Sequence, residues 1–162
     1  MRISRLVVVS VALFAVTFAM GQGGDLCGCV PTSPTCQVRN ITVRIVTADE
    51  PLAGTDDDVF FSIGGGFEWK LNNVVNNFEQ GQTDEFEIPV EISICDFQEI
   101  RLRKSPDGPL GGWLLEGITV ITENLDGTEE VLYDNPSIFV WLEDTELEWV
   151  ASDFVPPCGT TP

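Results

Sequence analysis

Residues 39–47 read Arg-Asn-Ile-Thr-Val-Arg-Ile-Val-Thr, and the fold class follows from this stretch. Ile41, Val43 and Ile45 alternate with Thr42, Arg44 and Val46, a period of two that lays one set of side chains on one face of a strand. The alternation returns in Val59, Phe61 and Ile63, in Phe86, Ile88 and Val90, and in Ile100 and Leu102. Trp113, Leu115 and Ile118 to Ile121 make a further β-rich run. Asn124-Leu125-Asp126-Gly127 turns that run into Val131-Leu132-Tyr133, because Asp-Gly favours a tight hairpin turn. Phe139, Trp141, Leu147 and Trp149 close the region. Turn residues punctuate it at Pro51-Leu52-Ala53-Gly54, Gly64-Gly65-Gly66, Gly81, Pro106-Asp107-Gly108-Pro109 and Asn135-Pro136. No window after residue 21 holds a helical period. About eight short strands at regular spacing predict an all-β sandwich or barrel.

Ahead of this region stands a targeting pattern. Arg2 and Arg5 are followed by the apolar stretch Leu6 to Phe18 and a small-x-small site at Ala19-Met20-Gly21. That stretch is too short for a bilayer that needs roughly 20 apolar residues. The expected organisation is a signal peptide at 1–21, a Gly/Pro-rich flexible leader at 22–35, one domain at 36–158 and a tail at 159–162. Secretion is the expected localisation, with lipoprotein processing at Cys27 or Cys29 as the alternative.

Charge narrows the partners. The chain carries 26 acidic and 8 basic residues, for a net charge of −18. Such a surface repels nucleic acid, and repels anionic lipid unless a cation intervenes. With 43% apolar residues the composition is nonetheless core-forming. Export permits disulfides. The five cysteines are Cys27, Cys29, Cys36, Cys95 and Cys158. Cys36 and Cys158 bracket the periodic region and are expected to pair, a closure worth roughly 4–5 kcal/mol in the chain-entropy model. Five cysteines cannot all pair within one chain: one of Cys27 and Cys29 is available to Cys95, with that choice left open, and the other is left over.

Four motifs in order resemble the PLAT (lipoxygenase-homology) family. Ile41 to Thr47 leads into Ala53-Gly54-Thr55-Asp56-Asp57, similar to the family's AGTD turn. Asn76-Asn77-Phe78-Glu79-Gln80-Gly81, followed by Asp84 and Phe86, resembles its NDFERG-x-x-D-x-F signature. Ile100-Arg101-Leu102, Pro106-Asp107-Gly108 and Trp113 match its next strand, turn and tryptophan, and Trp141-Leu142 its late WL pair. The resemblance spans Cys36 to Cys158 and implies two packed four-stranded antiparallel sheets. It also supports the Cys36–Cys158 bridge.

The resemblance implies a calcium site where the two loops meet, with the Gly54 carbonyl, Asp56, Asp57, Asn76, Asn77 and Glu79 as ligands. The donors suit the ion, since Ca²⁺ takes six to eight hard oxygens. Asp56, Asp57 and Asp58 in succession would repel one another, which a divalent ion relieves. Asn77 stands where the family commonly has Asp, which weakens the site toward dissociation constants of roughly 10⁻⁴–10⁻³ M. The same residues also suffice for a turn without metal, with Glu79 and Asp84 holding the loop by hydrogen bonds. Leu52, Val74 and Val75 are expected at loop tips, where they would touch a membrane surface or a protein partner. Phe67 and Trp69 are expected to point into the core. Arg101, Arg103 and Lys104 are read as the solvent face of a strand, paired with acidic neighbours.

The chain has no histidine, which excludes Ser-His-Asp and Cys-His catalysis and removes the commonest transition-metal ligand. Cys27-Gly28-Cys29 is too tight for a usual zinc pair, and no phosphate loop is present. The expected function is a non-enzymatic, secreted recognition module with no small-molecule substrate, acting on a lipid surface or a protein with possible help from calcium. The alternative is an extracellular structural or accessory protein with no ligand.

Overall fold

The computed structural model describes residues 36–71, 76–106 and 111–152, leaving aside the side chain of Cys95. The expected signal peptide and leader, Val74, Val75, and Cys27, Cys29 and Cys158 lie outside the described residues. Within them are nine strands and no α-helix. The strands are β1 (Gln37–Thr47), β2 (Val59–Ile63), β3 (Glu68–Leu71), β4 (Thr83–Ser93), β5 (Ile100–Lys104), β6 (Trp113–Asn124), β7 (Glu129–Asn135), β8 (Val140–Leu142) and β9 (Glu148–Ala151).

They form the expected two-sheet antiparallel sandwich. One sheet runs β4-β1-β6-β7, with β8 also paired to β6, and the other runs β3-β2-β5-β9. The first sheet therefore has five strands rather than four, because the WL pair at Trp141-Leu142 extends it along β6. The alternation read from residues 39–47 holds, since Ile41, Val43 and Ile45 are all fully buried. Phe61, Leu102, Trp113, Leu115 and Ile118 meet them from the two inner faces, as the side-chain period requires of packed sheets. The Asp126-Gly127 turn joins β6 to β7, with Gly127 at φ 85.

Two side chains depart from expectation, Phe67 because it lies outside its strand and Lys104 because of its phase within one. Trp69 packs against the core, but Phe67 precedes β3 on the glycine turn, where it is 73% exposed and stands edge-on to Trp69 at 5.6 Å. Lys104 is not on the solvent face. In β5, Ile100 and Leu102 point inward while Arg101 and Arg103 point outward, so Lys104 continues the inward set and is 0% exposed. Arg103 instead forks onto Glu68, at 2.9 and 2.6 Å, and lies 4.3 Å above the Phe60 ring. Arg101 pairs with Glu99 and Glu148.

Topology gathers the chain crossings. Val46 of β1 faces Thr83 of β4, Val59 of β2 faces both Leu71 of β3 and Lys104 of β5, and Thr47 faces Leu115 of β6. Residues 48–58 lead from β1 of one sheet to β2 of the other, and residues 76–82 lead into β4 of the first sheet, so these pairings bring both to the same end of the sandwich. The end of β5 arrives there as well.

Candidate loop-borne ion and surface site

The first crossing begins with a strained turn. The Ala53 N–H donates to the Glu50 carbonyl at 3.1 Å, and Leu52 has φ 67. A positive φ at the third residue of a turn whose second residue is proline is the type II arrangement, which ordinarily calls for glycine. Here leucine takes it, and its side chain is 81% exposed.

Gly54 follows, and the two loops touch at this point. The Thr55 N–H donates to the Phe78 carbonyl at 3.0 Å. A Cβ on Gly54 would fall 2.9 Å from that carbonyl oxygen and 3.2 Å from the Glu79 Cα, so only a residue without one fits. Phe78 anchors the second loop from the other side. It is buried at φ 60, stacks on Phe86 at 5.5 Å and meets Trp113 edge-on at 5.2 Å. Trp113 in turn donates its indole N–H to the Thr47 hydroxyl at 3.0 Å.

Asp84 completes the anchor. Its carboxylate accepts the Phe78 N–H at 2.8 Å while only 4% exposed. Burial raises its pKa above the ordinary carboxylate value, and the Phe78 N–H offsets this only in part. A raised folded-state pKa means that this group favours folding most below its unfolded value, and the contribution is lost as pH rises through the folded value. Asp84→Asn keeps an acceptor without titrating. Its Tm relative to the parent is therefore expected to increase between pH 3.5 and pH 7 in parallel thermal melts; an unchanged or falling difference would refute the assignment.

The six proposed ligands are brought to this end of the molecule. Asp56, Asn76 and Glu79 are exposed, Gly54 and Asp57 are half-buried, and Asn77 is buried. One open cleft is lined by Thr55, Asp56, Asp57, Asn76 and Asn77, and a second by Leu52, Gly54, Asp56 and Glu79. Asp56 borders both. The Asn76 side-chain amide donates to the Glu79 carboxylate, and the Glu79 N–H donates to the Gln82 side chain at 3.2 Å.

The structure relieves the repulsion within Asp56-Asp57-Asp58 with two lysines. Lys104 Nζ lies 2.7 Å from Asp57 Oδ2, and Lys70 Nζ lies 2.6 Å from Asp58 Oδ1. The Thr55 hydroxyl also reaches Asp57 Oδ2, at 3.3 Å, and accepts the Asp57 N–H at 3.1 Å. Hard oxygen donors of the kind calcium takes thus surround Asp56, but charge is scarce. Among the described residues no three carboxylate, thiol or imidazole groups cluster closely enough to hold a metal by themselves. A calcium ion here would depend on Asp56 and Glu79, the amides Asn76 and Asn77, the Gly54 carbonyl and water. The donor set fits in kind and predicts weak affinity. The sequence reading missed Lys104, although the inward phase of Ile100 and Leu102 in β5 pointed to it.

A two-sheet sandwich with its loop crossings gathered around an acidic, apolar-tipped end defines a class of β-sandwich module that presents its site on loops. The PLAT/LH2 domain pattern matches residues 41–134, and the chain belongs to that family. Relatives include a phospholipase C from Clostridium novyi, 35% identical over 95 residues, covering 54% of this chain and 24% of that enzyme. The lipoxygenase homology domain-containing protein 1 of Homo sapiens is 34% identical over 83 residues, covering 48% of this chain and 4% of that protein. Among solved structures, the alpha-toxin of Clostridium perfringens, from an avian strain, superposes with a TM-score of 0.56 at 28% identity. That match covers 70% of this chain and 31% of the toxin. The chain thus corresponds to about a quarter of the length of the Clostridium novyi relative it resembles.

Proposed function

We propose that this protein is a non-catalytic, exported recognition module that touches a lipid surface with the Leu52 end of its sandwich, assisted by weakly bound calcium. The observation that carries the reading is Leu52 itself. A leucine held at φ 67 costs about 1 kcal/mol in backbone strain, and its side chain is left in solvent beside Asp56 and Glu79. Little apolar area is buried by that side chain in the folded protein, whereas an apolar tip next to a cation site suits a surface whose phosphates the cation bridges. Similarity to enzymes named phospholipase C is consistent with a lipid setting.

Calcium has a definite task in this scheme. An acidic module is repelled by anionic lipid, and an ion shared between Asp56, Glu79 and a headgroup phosphate converts repulsion into attraction. Leu52 then adds about 1.5–3 kcal/mol if fully buried, a modest and reversible attachment.

Co-sedimentation with phosphatidylserine/phosphatidylcholine vesicles tests this. The full chain is expected to pellet in millimolar Ca²⁺ and to stay in the supernatant in EDTA. Leu52→Asp is expected to weaken binding roughly ten- to hundredfold with no loss of Tm. Leu52→Gly should raise Tm by relieving the turn while still weakening binding. Equal supernatant fractions with and without calcium would instead favour the second reading, a ligand-free accessory protein.

A further inference from the structure

Lys104 is placed where a counter-ion to the acidic loop belongs. Its ammonium is wholly buried, 2.7 Å from Asp57 Oδ2, and it is delivered by the last residue of a strand whose inward positions are otherwise Ile100 and Leu102. A lysine at such a position is expensive to bury and persists only with a close, well-oriented carboxylate. Asp57 is oriented to be that carboxylate. Its backbone N–H is held by the Thr55 hydroxyl, and the same hydroxyl reaches Oδ2. Thr55 is in turn fixed to the second loop through Phe78. The ammonium is therefore built into the turn.

We infer that Lys104 is a tethered cation that substitutes for a metal ion at Asp57, ordering the 54–58 loop without calcium and setting the weak calcium affinity of the adjoining cleft. The inference rests on the calcium reading above and adds the residue that tunes it. Two consequences follow from charge alone. A divalent ion that used Asp57 Oδ2 would stand beside a fixed ammonium, and like charges at that separation repel strongly in a partly dry site. With the ammonium present, the loop's negative charge is already partly neutralised, so less is gained when calcium arrives. Lys70 does not play this part, because its pair with Asp58 is open to solvent and screened.

Removing the ammonium should therefore turn a weak, dispensable site into a tighter and structurally required one. Lys104→Met keeps the buried length and deletes the charge, leaving the half-buried Asp57 carboxylate without its ammonium and with the Thr55 hydroxyl still on Oδ2. The double variant Lys104→Met/Asp57→Asn removes both charges together and serves as the folded reference if the single variant is unstable. The full-length parent and both variants are compared by thermal unfolding in EDTA, in 5 mM Mg²⁺ and in 5 mM Ca²⁺, and by calorimetric titration with CaCl₂.

The expected results are a parent whose Tm rises by only a few degrees from EDTA to calcium, as weak binding requires, and a Lys104→Met protein destabilised in EDTA but recovered by Ca²⁺ more than by Mg²⁺. Calcium affinity should rise at least tenfold over the parent, and this gain should vanish in the double variant. A Lys104→Met protein with parental calcium affinity and no recovery, alongside a folded double variant, would overturn the inference. The calcium reading fails separately. If the parent shows no calcium response while Lys104→Met acquires one, the tethered cation stands and the native protein is to be read as calcium-independent.

Discussion

Phe78→Ala is expected to lower the stability of the domain by about 3–5 kcal/mol, the range for truncating a buried phenylalanine. For a domain of this size that corresponds to a fall in Tm of roughly 10–20 °C. The magnitude follows from how much one loop residue holds. Its ring lies against Phe86 and Trp113 under the crossing between the sheets, its N–H reaches the buried Asp84 carboxylate, and its carbonyl accepts the Thr55 N–H. Alanine keeps the left-handed backbone, with its strain, and loses the ring contacts that compensate for it. Urea unfolding of the two proteins, monitored by tryptophan fluorescence, gives the difference directly. Phe78→Leu, which refills most of the volume, should lose less. A loss under 1 kcal/mol for Phe78→Ala would mean that the second loop is not held by this ring.

Gly54→Ala is the second large effect and acts on function as well as on folding. The added Cβ would meet backbone on the facing loop, the Phe78 oxygen at 2.9 Å and the Gln80 nitrogen at 3.1 Å. Backbone cannot swing away as a side-chain end can, so the loops must part. Overpacking of this kind costs about 1–3 kcal/mol. Separation would stretch the Thr55–Phe78 hydrogen bond and open the space between Asp56 and Glu79. The expected result is a lower Tm together with loss of calcium-dependent vesicle pelleting, even well below the melting temperature. Leu52→Asp is the control, since it should weaken binding without the stability loss. If Gly54→Ala melts lower but still pellets with calcium, the loop junction serves folding alone.

The ionic side of the site is more modest. The outer-face pairs, such as Arg44 with Glu85 and Arg103 with Glu68, are open to water, and exposed pairs of this type contribute about 0.2–1 kcal/mol each. Glu68 has its pKa lowered chiefly by its hydrogen bond to Arg103. Together with the buried Lys104–Asp57 pair, these outer-face pairs occupy every cation of the described residues. The positive charge of Arg101 and Arg103 is thereby committed to Glu99, Glu148 and Glu68 within the protein itself.

Much of the fold was legible because its signals are local. The side-chain period of a strand is two residues, so Ile41, Val43 and Ile45 announce a buried face without knowledge of what covers it. Asp126-Gly127 likewise specifies its turn through its own backbone preference. The candidate loops were legible in a different way, through the resemblance of residues 53–57 and 76–81 to the family's AGTD and NDFERG motifs. The phase of Lys104 was equally legible, but two preceding arginines made the stretch look like one exposed face.

Tertiary structure decided the rest. The meeting of residues 54–58 with residues 76–79 depends on both segments crossing between sheets at one end, which the strand register determines. The neutralisation of Asp57 by Lys104 joins residues 47 positions apart. Neither the distance nor the burial that makes that pair consequential exists until β5 is laid beside β2. Local preference acts through neighbouring dihedrals, whereas a charge responds to whatever the fold brings within a few ångströms.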